Sequence, residues 1–383
     1  NAAAENIWDA YLQKAGNCVL LHGITGSGKT EVYREIVARV LAEGGDVIIL
    51  VPEISLTSQI SRIFLKHFQD AVGVIHSGIS PADKLSLWEN ILNGRKRIII
   101  GARSAVFAPL PNLSLIIVDE EHDNAYKQDE NPKYHARDVA RRRMGQRGGL
   151  VLLGSATPSL EAYAAAQRGK IGLIYLGERF MQRSLPDVSV VDMKEELSKG
   201  NKSMFSFLLR NMLRERIDKG EQSILFLNRR GYSTFVFCRE CGYVARCPHC
   251  DVSLTFHSHR QELWCHYCDY KQEVFHRCPD CGSRYIRFFG QGTQKVEEEI
   301  RTLFPEIEVL RLDTDTTGGM EKHADILTRF RTENVPILVG TQMLAKGLDF
   351  PNVTLVGVIS ADQLLNMPDF RSRERAFQLL TQV

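Results

Sequence analysis

The octapeptide Gly23-Ile24-Thr25-Gly26-Ser27-Gly28-Lys29-Thr30 satisfies G-x-x-x-x-G-K-[ST], a pattern that carries meaning only between a strand and a helix. Both flanks comply. Cys18–Leu21 is a short apolar run, and Thr30 to Glu43 places Val32, Ile36, Val40 and Leu41 on one helical face before Gly44-Gly45 stops it. The glycines let backbone N–H groups converge on phosphate oxygens, and the helix N-terminus adds the positive end of its dipole. On this reading Gly23, Thr25, Gly26, Ser27 and Gly28 line a nucleotide's phosphates. Lys29 reaches the β- and γ-phosphates, and the Thr30 hydroxyl ligates magnesium.

The rest of the first half supplies the sheet that such a loop needs. Val47–Val51, Val72–His76, Ile98–Gly101, Leu115–Val118 and Val151–Gly154 are continuous apolar runs, as parallel strands covered on both faces must be. They predict a doubly wound α/β domain. Leu115–Val118 runs into Asp119-Glu120-Glu121-His122. A carboxylate at the C-terminal end of a buried strand holds magnesium in such sites, so Asp119 is the second predicted ligand. Glu120 is placed to polarise the attacking water. A second α/β series starts near Pro186, with strands predicted over Ile224–Leu227, Val309–Leu312, Ile337–Val339 and Leu355–Ile359. Its helices are predicted over Met204–Ile217, Val296–Leu303 and Ile326–Phe330.

A chain of 383 residues is too long for one ordinary domain. Expected segments are a first lobe at 1–182, a second lobe at 183–235 resuming at 289–383, and an insertion at 236–288. With 44% hydrophobic and 25% charged residues, the composition excludes disorder, collagen and coiled coil as whole-chain descriptions. Lys+Arg 48 minus Asp+Glu 46 leaves a net charge of +2, so nucleic-acid binding has to come from local features. No apolar run approaches the ~20 residues of a membrane span, and no membrane partner is expected.

Eight of the nine cysteines fall in the insertion as four C-x-x-C pairs: Cys238/Cys241, Cys247/Cys250, Cys265/Cys268 and Cys278/Cys281. Knuckle spacing inside a large protein points to zinc rather than to a disulfide framework. The fourteen residues between Cys250 and Cys265 suit a hairpin that brings two knuckles face to face, whereas the five between Cys241 and Cys247 scarcely allow it. The predicted pairing is therefore nested, with Cys247, Cys250, Cys265 and Cys268 at one zinc and Cys238, Cys241, Cys278 and Cys281 at the other. Closed four-thiolate sites are structural, and the nearby histidines are expected to be bystanders. Cys18 reads as a small buried hydrophobe.

Gly154-Ser155-Ala156-Thr157-Pro158 resembles the third motif of superfamily 2 helicases, and Thr341-Gln342-Met343-Leu344-Ala345-Lys346-Gly347-Leu348-Asp349-Phe350-Pro351 resembles the fifth. G-x-T-G-S-G-K-T-E-V-Y, V-P-E-I-x-L-T at Val51–Thr57, G-x-R-S-A at Gly101–Ala105, D-E-E-H-D, and F-L-N-R-R-G ahead of the cysteines narrow the match. Together they are similar to the PriA family of bacterial replication-restart helicases, over essentially the whole chain. The resemblance implies two RecA-like lobes with ATP and magnesium between them, two zinc ions, and Gly347 and Asp349 at the nucleotide. It implies a 3′→5′ DNA helicase of the replication-restart primosome, monomeric, in the bacterial cytoplasm at the nucleoid. Implied partners are forked and single-stranded DNA, single-stranded DNA-binding protein, and primosome and helicase-loader proteins. Family members carry further domains and a sixth motif whose arginines reach the γ-phosphate. The sequence is expected to stop short of that motif at Thr381-Gln382-Val383, and slow ATP turnover by residues 1–383 is expected.

Nucleic acid is expected along His122 to Arg143, where aromatic rings can stack on bases and cations can meet phosphates. Tyr126, Lys127, Tyr134 and Arg137 are the expected contacts there, with Arg103 and Thr341 from the family motifs. Core packing of Tyr126 and Tyr134, or a solvated face for the arginines, is the competing reading. The competing function is a DNA-binding scaffold with a helicase fold that does not hydrolyse ATP; an RNA helicase or translocase is a third reading.

Overall fold

The structure is a computed structural model that describes residues 2–14, 17–52, 59–76, 78–177, 186–227, 235–257, 260–288, 293–312, 320–341, 350–367 and 369–382. It divides into two compact units, Asn1–Leu185 and Pro186–Thr381.

In the first unit seven strands form one parallel sheet: β1 (Cys18–Gly23), β2 (Asp46–Leu50), β3 (Val72–Ile75), β4 (Ile98–Gly101), β5 (Leu113–Asp119), β6 (Leu150–Ser155) and β7 (Gly172–Leu176). Their spatial order is β3-β4-β2-β5-β6-β1-β7. Among the described residues six α-helices cover it: α1 (Ala2–Leu12), α2 (Lys29–Ala42), α3 (Gln59–Phe68), α4 (Pro81–Leu92), α5 (Ala136–Arg147) and α6 (Leu160–Gln167). Strand alternation splits the apolar residues into two cores. Leu115 and Ile117 join α1, α2 and α3 on one face, while Ile116 and Val118 join α4, α5 and α6 on the other. This is why the strands read as unbroken apolar runs. Each predicted strand of this unit is present with its ends moved by at most two residues; Val51 and His76 fall outside β2 and β3, and β5 extends past both predicted ends. β7 was not foreseen; it is an edge strand whose Leu173 and Tyr175 are exposed, so it lacks the signature of burial on both faces. Because all strands are parallel, β1, β6 and β5 end side by side at one edge of the sheet, which puts the glycine loop, Ser155 and Asp119 together.

The second unit has a four-stranded parallel sheet of β8 (Gln222–Leu227), β14 (Val309–Leu312), β15 (Ile337–Gly340) and β16 (Val353–Ile359), ordered β14-β15-β8-β16. Its helices are α7 (Met193–Ser198), α8 (Phe207–Asp218), α9 (Thr293–Leu303), α10 (Met320–Thr332), α11 (Asp362–Leu365) and α12 (Ser372–Gln382). Between β8 and α9 lie β9 (Val236–Cys238), β10 (Thr255–His257), β11 (Glu262–Trp264), β12 (Lys271–Glu273) and β13 (Ile286–Phe288). β10-β11-β12 form an antiparallel sheet, and β9 pairs with β13 so that the insertion's entry and exit close on each other. The architecture is thus two RecA-like parallel sheets, with a cysteine-rich insertion in the second. Among the described residues no helix is long and apolar enough to cross a membrane.

Candidate nucleotide site and metal centres

The glycine loop is preformed. Gly26 and Gly28 have φ of 76° and 85°, the left-handed region that favours glycine, and Gly28 is the N-cap of α2. Lys29 Nζ donates to the Gly23 carbonyl at 2.7 Å, so the ammonium already lies over the loop. The buried Ser27 Oγ has no hydrogen-bond partner, an orphan that a ligand oxygen would satisfy.

Asp119 ends β5 beside this loop. The Tyr33 hydroxyl, from the second turn of α2, donates to Asp119 Oδ1 at 3.0 Å. Burial pushes the Asp119 carboxyl above its ordinary value, while the Lys29 charge, the Tyr33 hydroxyl and the Glu120 N–H oppose that rise. Glu120 sits at φ 46°, a left-handed turn immediately after the strand. The donor types suit a hard cation: a carboxylate at the end of β5 and a threonine hydroxyl in the first turn of α2.

The next two residues of the acidic run bind the third motif. His122 Nδ1 is 2.8 Å from Ser155 Oγ, and Ser155 Oγ accepts the Thr157 N–H at 3.0 Å. Glu121 is 1% exposed and takes three donors. Its Oε1 accepts the Ser159 N–H at 2.7 Å, and its Oε2 accepts Ser159 Oγ at 3.1 Å and Arg137 Nη1 at 2.5 Å. The sequence reading missed Glu121; an acid inside a motif gives no sign of whether it faces ligand or core.

Two of the expected nucleic-acid contacts are engaged inside the first unit. Arg137 is bound to Glu121 and to Ser159 Oγ, so its guanidinium is a structural tie. Tyr126 is fully buried, with its hydroxyl set between the Leu50 and Asp119 carbonyls, 3.0 Å from the former. It has no face to offer a base, and core packing is the outcome. Arg103 donates to the carbonyls of Ala125 and Lys127, which pins the turn after the acidic run. Lys127 points outward beside Asp129, and half-buried Tyr134 packs edge-on to exposed Phe107 at 5.1 Å. Thr341 is 7% exposed at the end of β15. Gly347 and Asp349 lie outside the described residues.

The cysteines form two groups, Cys238–Cys241–Cys278–Cys281 and Cys247–Cys250–Cys265–Cys268, each with its sulfurs within 4.8 Å of one another. The nested pairing is the one observed. Sγ–Sγ distances of 3.6, 3.6 and 3.5 Å for Cys238/Cys281, Cys241/Cys278 and Cys247/Cys268 fit a zinc. Four sulfurs ~2.3 Å from an ion stand about 3.8 Å apart. All four knuckles repeat one turn. The first cysteine's N–H donates to the carbonyl five residues on, and its carbonyl accepts the N–H four residues on. That fourth residue takes a left-handed φ: Gly242 82°, Asp251 52°, Asp269 59° and Gly282 71°. The motif is therefore C-x-x-C-[GD], legible in the sequence once the turn is known. Against burial, which raises it, the N–H groups of Tyr267 and Cys268 hold the Cys265 thiol down at about 7. Cys18 is pushed up to about 11, chiefly by burial, as an inert thiol would be.

Residues 1–165 match the DEAD/DEAH box helicase family, 247–272 the PriA DNA helicase Cys-rich region, and 282–375 the helicase conserved C-terminal domain. The replication restart protein PriA of Bacillus subtilis is 54% identical over 382 residues, covering 100% of this chain and 48% of that protein. PriA of Haemophilus influenzae is 41% identical over 367 residues, 96% of this chain and 50% of that protein. The chain thus spans about half the length of the curated relatives it matches. Among solved structures, the helicase MrfA bound to DNA has a TM-score of 0.54 at 14% identity, covering 100% of this chain and 46% of MrfA. RecG bound to a three-way DNA junction has 0.51 at 15% identity, covering 93% and 38%. At those identities the likeness is one of fold. Two RecA-like sheets, the motif series along them, the paired four-cysteine sites and whole-chain identity to curated PriA proteins place this chain in the PriA family of replication restart proteins.

Proposed function

We propose that the chain is the ATP-hydrolysing core of a DNA helicase, translocating 3′→5′ in the replication-restart primosome. The observation that carries this reading is the conjunction at one sheet edge of a preformed phosphate loop and Asp119, with Lys29 over the loop. Gly23, Thr25, Gly26, Ser27, Gly28 and Lys29 would hold the phosphates, and the resemblance to the family's fifth motif proposes Gly347 and Asp349 as nucleotide-binding residues. Thr30 and Asp119 would hold magnesium, which neutralises phosphate charge as the γ-phosphoryl transfers. Glu120 would orient the attacking water. The His122–Ser155 hydrogen bond supports a further step, in which a change at the acidic run reaches the third motif.

DNA would lie on Lys127, Tyr134, Arg103 and Thr341, the expected contacts that the buried network does not consume outright. The two zinc ions would be structural and would organise residues 236–288. Forked and single-stranded DNA are the proposed substrates, and single-stranded DNA-binding protein and helicase-loader proteins the proposed partners, in the bacterial cytoplasm at the nucleoid. Strand displacement on duplexes with a 3′ or a 5′ single-stranded tail tests the polarity: unwinding of the 5′-tailed substrate alone refutes it. Glu120→Gln should bind ATP and fail to release phosphate; release within a few-fold of the unsubstituted chain removes Glu120 from this role.

A further inference from the structure

We propose that Tyr33 is a positioning residue that fixes the Asp119 carboxylate for magnesium. The inference rests on reading Asp119 as the magnesium carboxylate, and it adds a residue to which no role has been given. Tyr33 lies in the second turn of α2, the helix that starts at the phosphate loop, and is 0% exposed. Its hydroxyl meets Asp119 Oδ1 at 3.0 Å. A carboxylate only accepts, so the phenol donates its single proton there. That occupies one oxygen and sets the rotation of the carboxyl group, which a metal-bound water or the ion itself has to match.

The fold makes room for this contact at a specific place. A Cβ at Gly154 would stand 1.6 Å from the Tyr33 hydroxyl oxygen and 2.8 Å from the ring carbon that bears it. Gly154 immediately precedes Ser155, the partner of His122. Glycine is therefore required at the end of β6 because the phenol crosses there, and not for backbone freedom, since Gly154 has no positive φ. One hydroxyl thus joins the phosphate-loop helix, the metal carboxylate and the strand that carries the third motif. A phenylalanine would serve packing equally well; the hydroxyl is needed only because Asp119 has to be held.

The test is the magnesium dependence of nucleotide binding, with a fluorescent ADP analogue as probe, beside direct Mn²⁺ binding followed by electron paramagnetic resonance. Tyr33→Phe should leave analogue affinity in EDTA unchanged and weaken the divalent-ion half-saturation about tenfold, the worth of one hydrogen bond to a charged group. Asp119→Asn should weaken it at least as much, and adding Tyr33→Phe to Asp119→Asn should change nothing further. Gly154→Ala, which displaces the hydroxyl without removing it, should reproduce the shift and serves if Tyr33→Phe does not fold. Ion dependence in Tyr33→Phe that superimposes on the unsubstituted chain, while Asp119→Asn shifts it, overturns the inference. No shift in Asp119→Asn overturns the reading beneath it, and the role of Tyr33 falls with that reading.

Discussion

Replacing Glu121 by Gln tests whether the acidic run is held by a buried ion pair. Glu121 has no exposed side chain and Arg137 only 16%. The substitution converts one acceptor oxygen into an NH2 group. Either Arg137 Nη1 or the Ser159 N–H then faces a donor, and the guanidinium charge is left unpaired. Breaking a buried pair from one side costs about 3–5 kcal/mol. In a unit of this size each kcal/mol moves the midpoint by about 2–4 °C, so a fall of roughly 6–20 °C is expected. Tryptophan fluorescence is a suitable probe, because Trp8 and Trp88 lie in the first unit. Arg137→Met should fall comparably, and Glu121→Met with Arg137→Met should fall by less than the sum, since no orphan charge remains. The same Arg137→Met chain decides the nucleic-acid question. A lost phosphate contact lowers the salt slope of DNA binding by about one. The slope should stay unchanged; a drop of one, or a midpoint within ~2 °C of the unsubstituted chain, refutes the assignment.

The insertion supplies the remaining predictions. Elemental analysis should return two zinc ions per chain, and Cys265→Ser should lose one, with local unfolding of residues 236–288 and an intact nucleotide site; a single zinc in the unsubstituted chain refutes the nested sites. Hydrogen bonding from Cys268 and then burial push the Cys250 thiol up to about 12, and burial foremost pushes Cys241 up to about 12. Both have to lose a proton to bind metal, so zinc affinity should rise with pH and fail on acidification, and a flat chelator competition between pH 6 and pH 8 contradicts this. Arg239 is 8% exposed and donates to the carbonyls of Asn201, Lys202 and Ser203 at 2.6 to 3.0 Å. Arg239→Ala should therefore loosen the outer knuckle from that loop and speed zinc release to a chelator at least tenfold, given about 1.5–3 kcal/mol per charged hydrogen bond; an unchanged release rate removes the clamp.

The sheets were legible because parallel strands buried on both faces leave unbroken apolar runs, and Ile98–Gly101 and Val309–Leu312 match to the residue. The phosphate loop was legible because its glycines answer a backbone demand. The zinc pairing followed from loop length alone. Side chains whose chemistry suits two environments were not legible. Tyr126 and Arg137 have the composition of a nucleic-acid surface, yet the Leu50 and Asp119 carbonyls claim the one and the Glu121 carboxylate the other. Tyr33 and Glu121 looked like filler within motifs, because their partners lie 86 and 38 residues away in sequence.

Phosphate release with and without forked DNA tests the central claim most directly. The account predicts hydrolysis that DNA stimulates and that Lys29→Ala abolishes while DNA affinity is retained, because the Lys29 ammonium lies over the phosphate loop and donates to the Gly23 carbonyl there. DNA binding with no stimulated hydrolysis, or hydrolysis that survives Lys29→Ala, contradicts it and favours the scaffold.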